Sequence, residues 1–376
     1  MTSPISTKDP VWSSRLSTGL IGLLTIGLTV CRAACAAAVT QGLTLCINLL
    51  LPALFPFFVL SGLVIESGLA LRLGARFSRV MSRVFHLPGS CAALFLLGAL
   101  GGYPTGARAV TDLYRQAQCS KADAERMLAL CNNCGPGFFL GVVGSAVLGS
   151  ARAGFCLWLI HLIAALLCGI LFRSDSTAGT APLPTPPPVS FPHALVRAVS
   201  GAVQSALGVC GFVLFFSVLL RLLQESGLFS LVTAWIAIPA EGQTFTQAIL
   251  SGIFEVSCGI HALAGCSAAL PLKGAAATAL LSFGGCSVLF QTMQQTENTG
   301  LSLRPAIHSK LLQAGLAGLC AFLYLSARQT NIAQVWQHFP AIPICAALLF
   351  CGFTLVKVRN TRYNTKRIWR KGDRAI

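Results

Sequence analysis

Apolar positions run through the chain in long blocks, interrupted at a few polar or Gly/Pro-rich places. A membrane-crossing helix needs about 20 predominantly apolar residues. Residues 19–39, 44–65, 153–172, 198–223, 306–325 and 342–356 are read as such blocks. The second contains Pro52 and Pro56, which should kink it. It ends at Glu66-Ser67-Gly68.

Residues 69–86 follow a different pattern. Arg72, Arg76, Arg79 and Arg83 fall within an arc of about 60° at helical spacing. Leu73, Phe77, Val80 and Val84 lie off that arc. This predicts an amphipathic helix lying in the membrane interface, basic face outward.

Four interruptions are not linkers. An apolar run from Cys91 to Leu100 leads into Gly101-Gly102-Tyr103-Pro104-Thr105-Gly106-Ala107-Arg108. A helix over 120–131, capped by Ser120 with Asp123 placed as in a capping box, breaks at Asn132-Asn133-Cys134-Gly135-Pro136. Pro136 suits the first turn of a new half-helix over 138–148. In the second half the run 248–254 meets Glu255-Val256-Ser257-Cys258-Gly259, and 275–283 meets Gly284-Gly285-Cys286-Ser287. A break at bilayer depth strands backbone N–H and C=O groups, which is tolerable only where protein or a water-filled cavity supplies partners. It also aims a partly positive helix N-terminus into the gap.

The second half replays the first. Glu225-Ser226-Gly227 matches Glu66-Ser67-Gly68 at an offset of 159 residues, and the two pairs of breaks follow at about 152 and 151. Ile307-His308 matches Ile160-His161 at an offset of 147. Paired broken helices in corresponding positions of two halves are the sequence sign of a transport site. The expected fold is an all-α polytopic membrane protein of two repeats, related by an axis in the membrane plane, with broken or re-entrant helices. The expected parts are a disordered N-terminus (1–15), a first membrane repeat (16–172), a Pro-rich linker (173–194), a second repeat (195–327), a final membrane segment (328–356) and a basic tail (357–376).

Composition agrees. Of 376 residues, 55% are hydrophobic and 10% charged, against roughly 25% charged in soluble domains. Net charge is +16. Eight basic residues and Asp373 lie in 357–376, so the positive-inside rule places the tail in the cytoplasm. Charge that flanks membrane segments gives no reason to invoke nucleic acid. The N-terminal apolar run continues past the small residues near Ala36–Ala38, which reads as an uncleaved first helix rather than a signal peptide. Most of the sixteen cysteines sit in apolar runs, where Cys behaves as a small hydrophobe. Cys131-Asn132-Asn133-Cys134 is a CxxC with no second pair at zinc spacing. No metal or cofactor is expected beyond a coupling ion, proton or sodium.

Candidate chemistry concentrates at the breaks. Ionisable groups inside membrane segments each cost about 2.5–3.5 kcal/mol at mid-bilayer and so need a partner or a purpose. These are Glu66, Arg108, Asp112, Glu225 and Glu255. Glu66 and Glu225 stand at helix ends and read as interfacial. Arg108 and Asp112 are four apart and can pair on one helix face. Glu255 alone adjoins a break directly, as a carrier of the coupling ion or a ligand to solute. Tyr103, Thr105, Asn132, Asn133, Ser257, Ser287 and Gln291 are polar and lie in or beside breaks, where they cap helix ends, bind solute, or both. Gly102, Pro104, Gly106, Gly135, Pro136, Gly259 and Gly285 make the breaks themselves. Arg108 and the helix N-termini would supply positive potential to a shared cavity. His161, His261 and His308 stand apart in sequence, and no HExxH or GxSxG occurs, so an intramembrane enzyme is not expected.

Gly102-Tyr103-Pro104-Thr105-Gly106-Ala107, Asn132-Asn133-Cys134-Gly135-Pro136, Glu255 with Gly259, and Ser287 with Gln291 together resemble the YlbJ-like sporulation integral membrane proteins. The resemblance covers residues 40–330. It implies two gate (nucleoside-recognition) domains and a repeat plan similar to that of concentrative nucleoside transporters. It further implies a secondary-type transporter that moves dipicolinic acid, an anionic aromatic solute, across the outer forespore membrane. Arg108, Cys134 and Cys258 depart from the family, which tends to have Lys, Ser and Asn there. The alternative is a non-transporting scaffold or assembly factor of spore formation. Assembly into a homo-oligomer is left open.

Overall fold

The computed structural model describes residues 11–173, 189–235 and 240–329. Among the described residues it is all helix and turn, without strands. In chain order the helices are α1 (Val11–Val30), α2 (Arg32–Leu45), α3 (Leu51–Glu66), α4 (Leu69–Val80), α5 (Ser90–Gly101), α6 (Thr105–Arg115), α7 (Lys121–Cys131), α8 (Ala151–Leu171), α9 (Phe191–Glu225), α10 (Leu228–Trp235), α11 (Ala240–Phe254), α12 (Val256–Gly265), α13 (Leu270–Phe283), α14 (Gly285–Gln295) and α15 (Arg304–Gln329). Wider π-helical turns extend α2 over Cys46–Leu50 and α4 over Met81–Phe85, and form Phe138–Val147 between α7 and α8.

Among the described residues four stretches are long and apolar enough to span a bilayer: Ala151–Leu171, Phe191–Glu225, Leu270–Gln295 and Arg304–Arg328. Two bent pairs raise the number to six. The apolar faces of these helices stay outward. Phe155 and Ile163 on α8 and Leu207 and Phe215 on α9 are exposed, a surface that lipid covers and water does not tolerate at such extent. The chain is an α-helical integral membrane protein. At 35 residues α9 is about 52 Å long, well beyond a hydrocarbon core of about 30 Å.

Local sequence sets the bends. Ser67 closes α3, and Gly68 takes φ 69°, a left-handed conformation that glycine adopts without strain. The next helix leaves at 78° to α3. Its arginines point outward, while Ala70, Gly74, Met81 and Phe85 turn inward. Leu73, Phe77 and Val80 remain exposed beside the basic stripe, as an interfacial helix requires. Ser120 accepts from Asp123 N at 3.1 Å and starts α7 as the capping box predicts.

Several expectations are corrected. Helix α1 begins at Val11, inside the stretch 1–15 expected to be disordered, and 1–10 lie outside the described residues. The block 19–39 is not one helix: α1 and α2 meet at 94° around Cys31, which is itself outside both helices. The linker expected over 173–194 ends early, since α9 starts at Phe191 with Pro192 in its first turn. The break expected over 255–259 is Glu255 alone, and α12 resumes at Val256. That over 284–287 is a single residue, Gly284 with φ 90°, and α13 and α14 run on as one 26-residue apolar span. Most of the Pro-rich segment (174–188), and the final segment and basic tail from residue 330 on, lie outside the described residues.

Candidate functional site

The first break is Gly102-Tyr103-Pro104, with Gly102 at φ 77° and a cis Tyr103–Pro104 peptide. The second is 132–135. The two lie backbone against backbone: a Cβ added at Gly102 would sit 3.1 Å from Gly135 N, and one at Gly135 3.1 Å from Gly102 N. Helices α5, α6 and α7 close on each other just behind. A Cβ at Gly98 or Gly106 would run into the Cys131 carbonyl oxygen.

The groups stranded by the breaks find side-chain partners, as buried backbone must. Cys134 N donates to His161 Nε2 at 3.2 Å, and Trp158 Nε1 donates to Cys134 O at 3.3 Å. Glu255 caps α12, its Oε2 accepting from Cys258 N at 2.7 Å and its Oε1 from Ser287 Oγ at 3.5 Å. That carboxylate ties the third break to the start of α14.

A cavity of about 300 Å³ opens among these ends. Gly101–Tyr103, Cys134–Phe138 and Glu255–Ser257 line it from three breaks, and Val288 and Gln291 from α14. Leu50, Phe57 and Val213 supply apolar wall from the π turn that extends α2, from α3 and from α9. The N-terminal turns of α12 and of the Phe138–Val147 segment border it, and such turns present free N–H groups and partial positive charge. A smaller cavity of about 40 Å³ lies beyond Tyr103 and Val288, which line both. Asn132, Ser282, Thr292 and Lys310 are its polar lining.

Of the residues singled out from sequence, Tyr103, Glu255, Ser257 and Gln291 line the larger cavity and Asn132 the smaller. Thr105, Asn133 and Ser287 are wholly enclosed and line neither. Thr105 Oγ1 donates to Gly101 O at 3.3 Å and laces the first break. Gly259 packs on Gly252 and Ala248 of α11, and Gly285 on the carbonyls of Gly252 and Ile253. Arg108 does not supply its charge to the cavity. It lies between α3, α6 and α9, with Nε 3.5 Å from Asp112 Oδ2, Nη1 3.5 Å from Phe58 O, and its guanidinium over the Phe58 ring. The pairing read from the spacing of Arg108 and Asp112 is present, and it turns the charge away. The CxxC cysteines do not face each other. Cys131 Sγ lies 3.7 Å from Cys91 Sγ, whereas Cys134 Sγ turns to Gly135 O.

Sequence reading missed Lys310, Gln313, Ser282 and Thr292, and took His161 as isolated. Lys310 Nζ donates to Asn133 Oδ1 at 3.0 Å and to Gln313 Oε1 at 2.8 Å. Gln313 Nε2 donates to Asn133 Oδ1 at 3.3 Å and to His161 O at 3.2 Å, while Asn133 Nδ2 donates to Leu130 O. His161 Nε2 accepts from backbone, so its proton sits on Nδ1, 2.8 Å from Ser282 Oγ. A signal was present: Lys310 and Gln313 lie three apart on one face of the apolar run 306–325.

Comparison with known proteins agrees with an integral membrane protein. The chain is similar to the sporulation integral membrane protein YlbJ of Bacillus subtilis (strain 168). The two are 27% identical over 326 residues, spanning 79% of this chain and 79% of that protein. No family model matches the chain, and no solved structure matches it. Among the described residues no group of three or more His, Cys, Asp or Glu is placed to hold a metal.

Proposed function

We propose that the protein is a secondary-type transporter for a small anionic aromatic or nucleoside-like solute, working by alternating access. One observation carries the reading: three helix breaks far apart in sequence, with one flank of a fourth, line a single cavity of about 300 Å³. That volume lies at the lower end of small-molecule pockets, about 300–1,000 Å³. A structural scaffold has no need of interrupted helices whose ends converge on a hollow. Tyr103 and Phe57 offer aromatic faces to a ring. Helix N-termini attract carboxylate.

The two halves are taken as repeats about an axis in the membrane plane. Each has a helix closed by Glu-Ser-Gly, two broken elements and a full span in the same order. One bundle carrying the breaks would move against the long spans α8, α9 and α15. Glu255, buried at the cavity wall, is the group to carry a coupling proton or sodium ion. Similarity to YlbJ, together with the motifs at the breaks, favours dipicolinic acid as the solute and spore formation as the setting. The test is uptake of labelled pyridine-2,6-dicarboxylate (the dipicolinic acid anion) and of nucleosides into proteoliposomes of the purified protein. Saturable uptake of one of these is expected, and none above protein-free vesicles would overturn the reading.

A further inference from the structure

The larger cavity poses a difficulty for an anionic solute. Among the described residues its lining includes the Glu255 carboxylate and no cationic side chain. Helix N-termini offset part of that charge, but Cys258 N already donates to Glu255. Arg108 is occupied by Asp112. The cation that remains nearby is Lys310, on the wall of the smaller cavity.

Lys310 is unusual in its ligands. Both hydrogen-bond acceptors it meets are neutral amide oxygens, Asn133 Oδ1 and Gln313 Oε1. Among the described residues no carboxylate forms an ion pair with it. A half-buried ammonium with only neutral partners is left without a counter-charge, which is costly in a membrane interior. An ammonium has three N–H donors, and two are used. The same cavity wall carries two further side chains that are nine-tenths or more buried and not fully satisfied. Asn132 Oδ1 has no hydrogen-bond partner, and the Tyr103 hydroxyl has no oxygen or nitrogen partner, only the weakly bonding Cys134 thiol beside it. Orphaned buried polar atoms are rare and call for an explanation. The cavity holds about 40 Å³, room for a carboxylate group or about three waters at about 10–15 Å³ each.

We infer that the small cavity is an anion subsite, in which the Lys310 ammonium and the Tyr103 hydroxyl receive a carboxylate of the solute whose ring occupies the larger cavity. The inference rests on the solute reading above and deepens it, naming the charge-recognising residue. Tyr103 and Val288 line both spaces, so the two adjoin at these side chains, and the subsite requires the solute to pass between them. Lys310 and Tyr103 donate to the carboxylate, and a water shared with the anion satisfies Asn132 Oδ1. Charge-assisted bonds of this kind are the strong ones. They also separate a dicarboxylate from an uncharged molecule of the same shape.

The experiment is a binding titration on the full-length protein in nanodiscs, read by tryptophan fluorescence. The probes are pyridine-2,6-dicarboxylate and its uncharged diamide. Wild type should bind the dicarboxylate at least tenfold more tightly than the diamide. Lys310→Met, which keeps the apolar stem, should bring the dicarboxylate down to the diamide's affinity and leave the diamide unchanged. Lys310→Arg should recover part of the difference. Tyr103→Phe removes only the hydroxyl and should weaken the dicarboxylate alone, by about three- to tenfold. The subsite is overturned if both Lys310→Met and Tyr103→Phe bind the dicarboxylate as wild type does. It is equally overturned if Lys310→Met weakens both probes by the same factor, which is the mark of a packing role. Equal wild-type affinity for the two probes would overturn the subsite while leaving a solute site in place. Binding of neither would overturn the aromatic dicarboxylate reading itself, and the subsite with it.

Discussion

The ammonium of Lys310 lies 3.0 Å from Oδ1 of Asn133, across 177 residues of sequence. That bond fastens α15, the last described span, to the second helix break. Asn133 is fully enclosed, so its work is to hold the break and present the lysine rather than to touch solute. Asn133→Ala removes an acceptor from both Lys310 and Gln313 and a donor from Leu130 O. It should destabilise the protein by about 1–3 kcal/mol, the usual consequence of leaving buried polar groups unsatisfied. Thermal unfolding in detergent would measure this. Asn133→Asp instead supplies Lys310 with a counter-charge. It should fold at least as well as the alanine variant and bind a carboxylate more weakly than wild type.

The meeting of α5, α6 and α7 depends on the absence of side chains. A methyl group at Gly106 has nowhere to go, because it would overlap the Cys131 carbonyl and crowd Asn132 Cα. Overpacking of this sort costs about 1–3 kcal/mol, and more where rigid backbone is the obstacle. Gly106→Ala should therefore lower the yield of folded, monodisperse protein sharply. Gly141→Ala is the control, since nothing lies within 4 Å of an added Cβ there. Comparison of the two by size-exclusion after detergent extraction checks the expectation. Equal yields would show that the three helices can separate without harm.

The breaks were legible because Gly, Pro and Asn inside apolar runs have few other uses at membrane depth. Their depth was less legible. Gly284 reads as a break of several residues, yet left-handed conformations at Gly284 and Gly285 let the span resume at once. The cavity wall was half legible. Tyr103 and Glu255 announce themselves by position, but whether Arg108 faces the hollow depends on α3 and α9, whose packing no local pattern reveals. Lys310 was hidden for a related reason. It sits near the start of a long span, where lysine normally reaches for the interface. Only the tertiary approach of Asn133, Gln313 and the small cavity shows that it does not.

Glu66 tests the other side of that distinction. Its carboxylate meets Arg197 at 3.2 Å, and Arg197 is 66% exposed. Gln116 Nε2 lies 3.4 Å away. Exposed pairs of this kind contribute about 0–1 kcal/mol. Glu66→Gln should therefore change the melting temperature by no more than a few degrees and leave uptake at matched protein abundance near wild type. A severe uptake defect would place function at the interface rather than at the cavity.

Glu255 is the strongest single test of the transport mechanism, because structure and charge can be separated there. The carboxylate is almost completely buried, at 1% exposure, and it borders the larger cavity. One oxygen caps α12 through Cys258 N, and the other accepts from Ser287. In Glu255→Gln the amide oxygen can still cap the helix, so the break should survive with little loss of stability. Glu255→Ala loses the cap as well, at about 1 kcal/mol. If Glu255 carries the coupling ion, the glutamine variant should lose uphill uptake into proteoliposomes while still exchanging labelled for unlabelled solute at equal concentration, since exchange needs the moving parts but no driving ion. Loss of both activities in a folded variant would instead make Glu255 a ligand to the solute. Uphill uptake at the wild-type rate would remove it from the mechanism altogether and leave it as a helix cap.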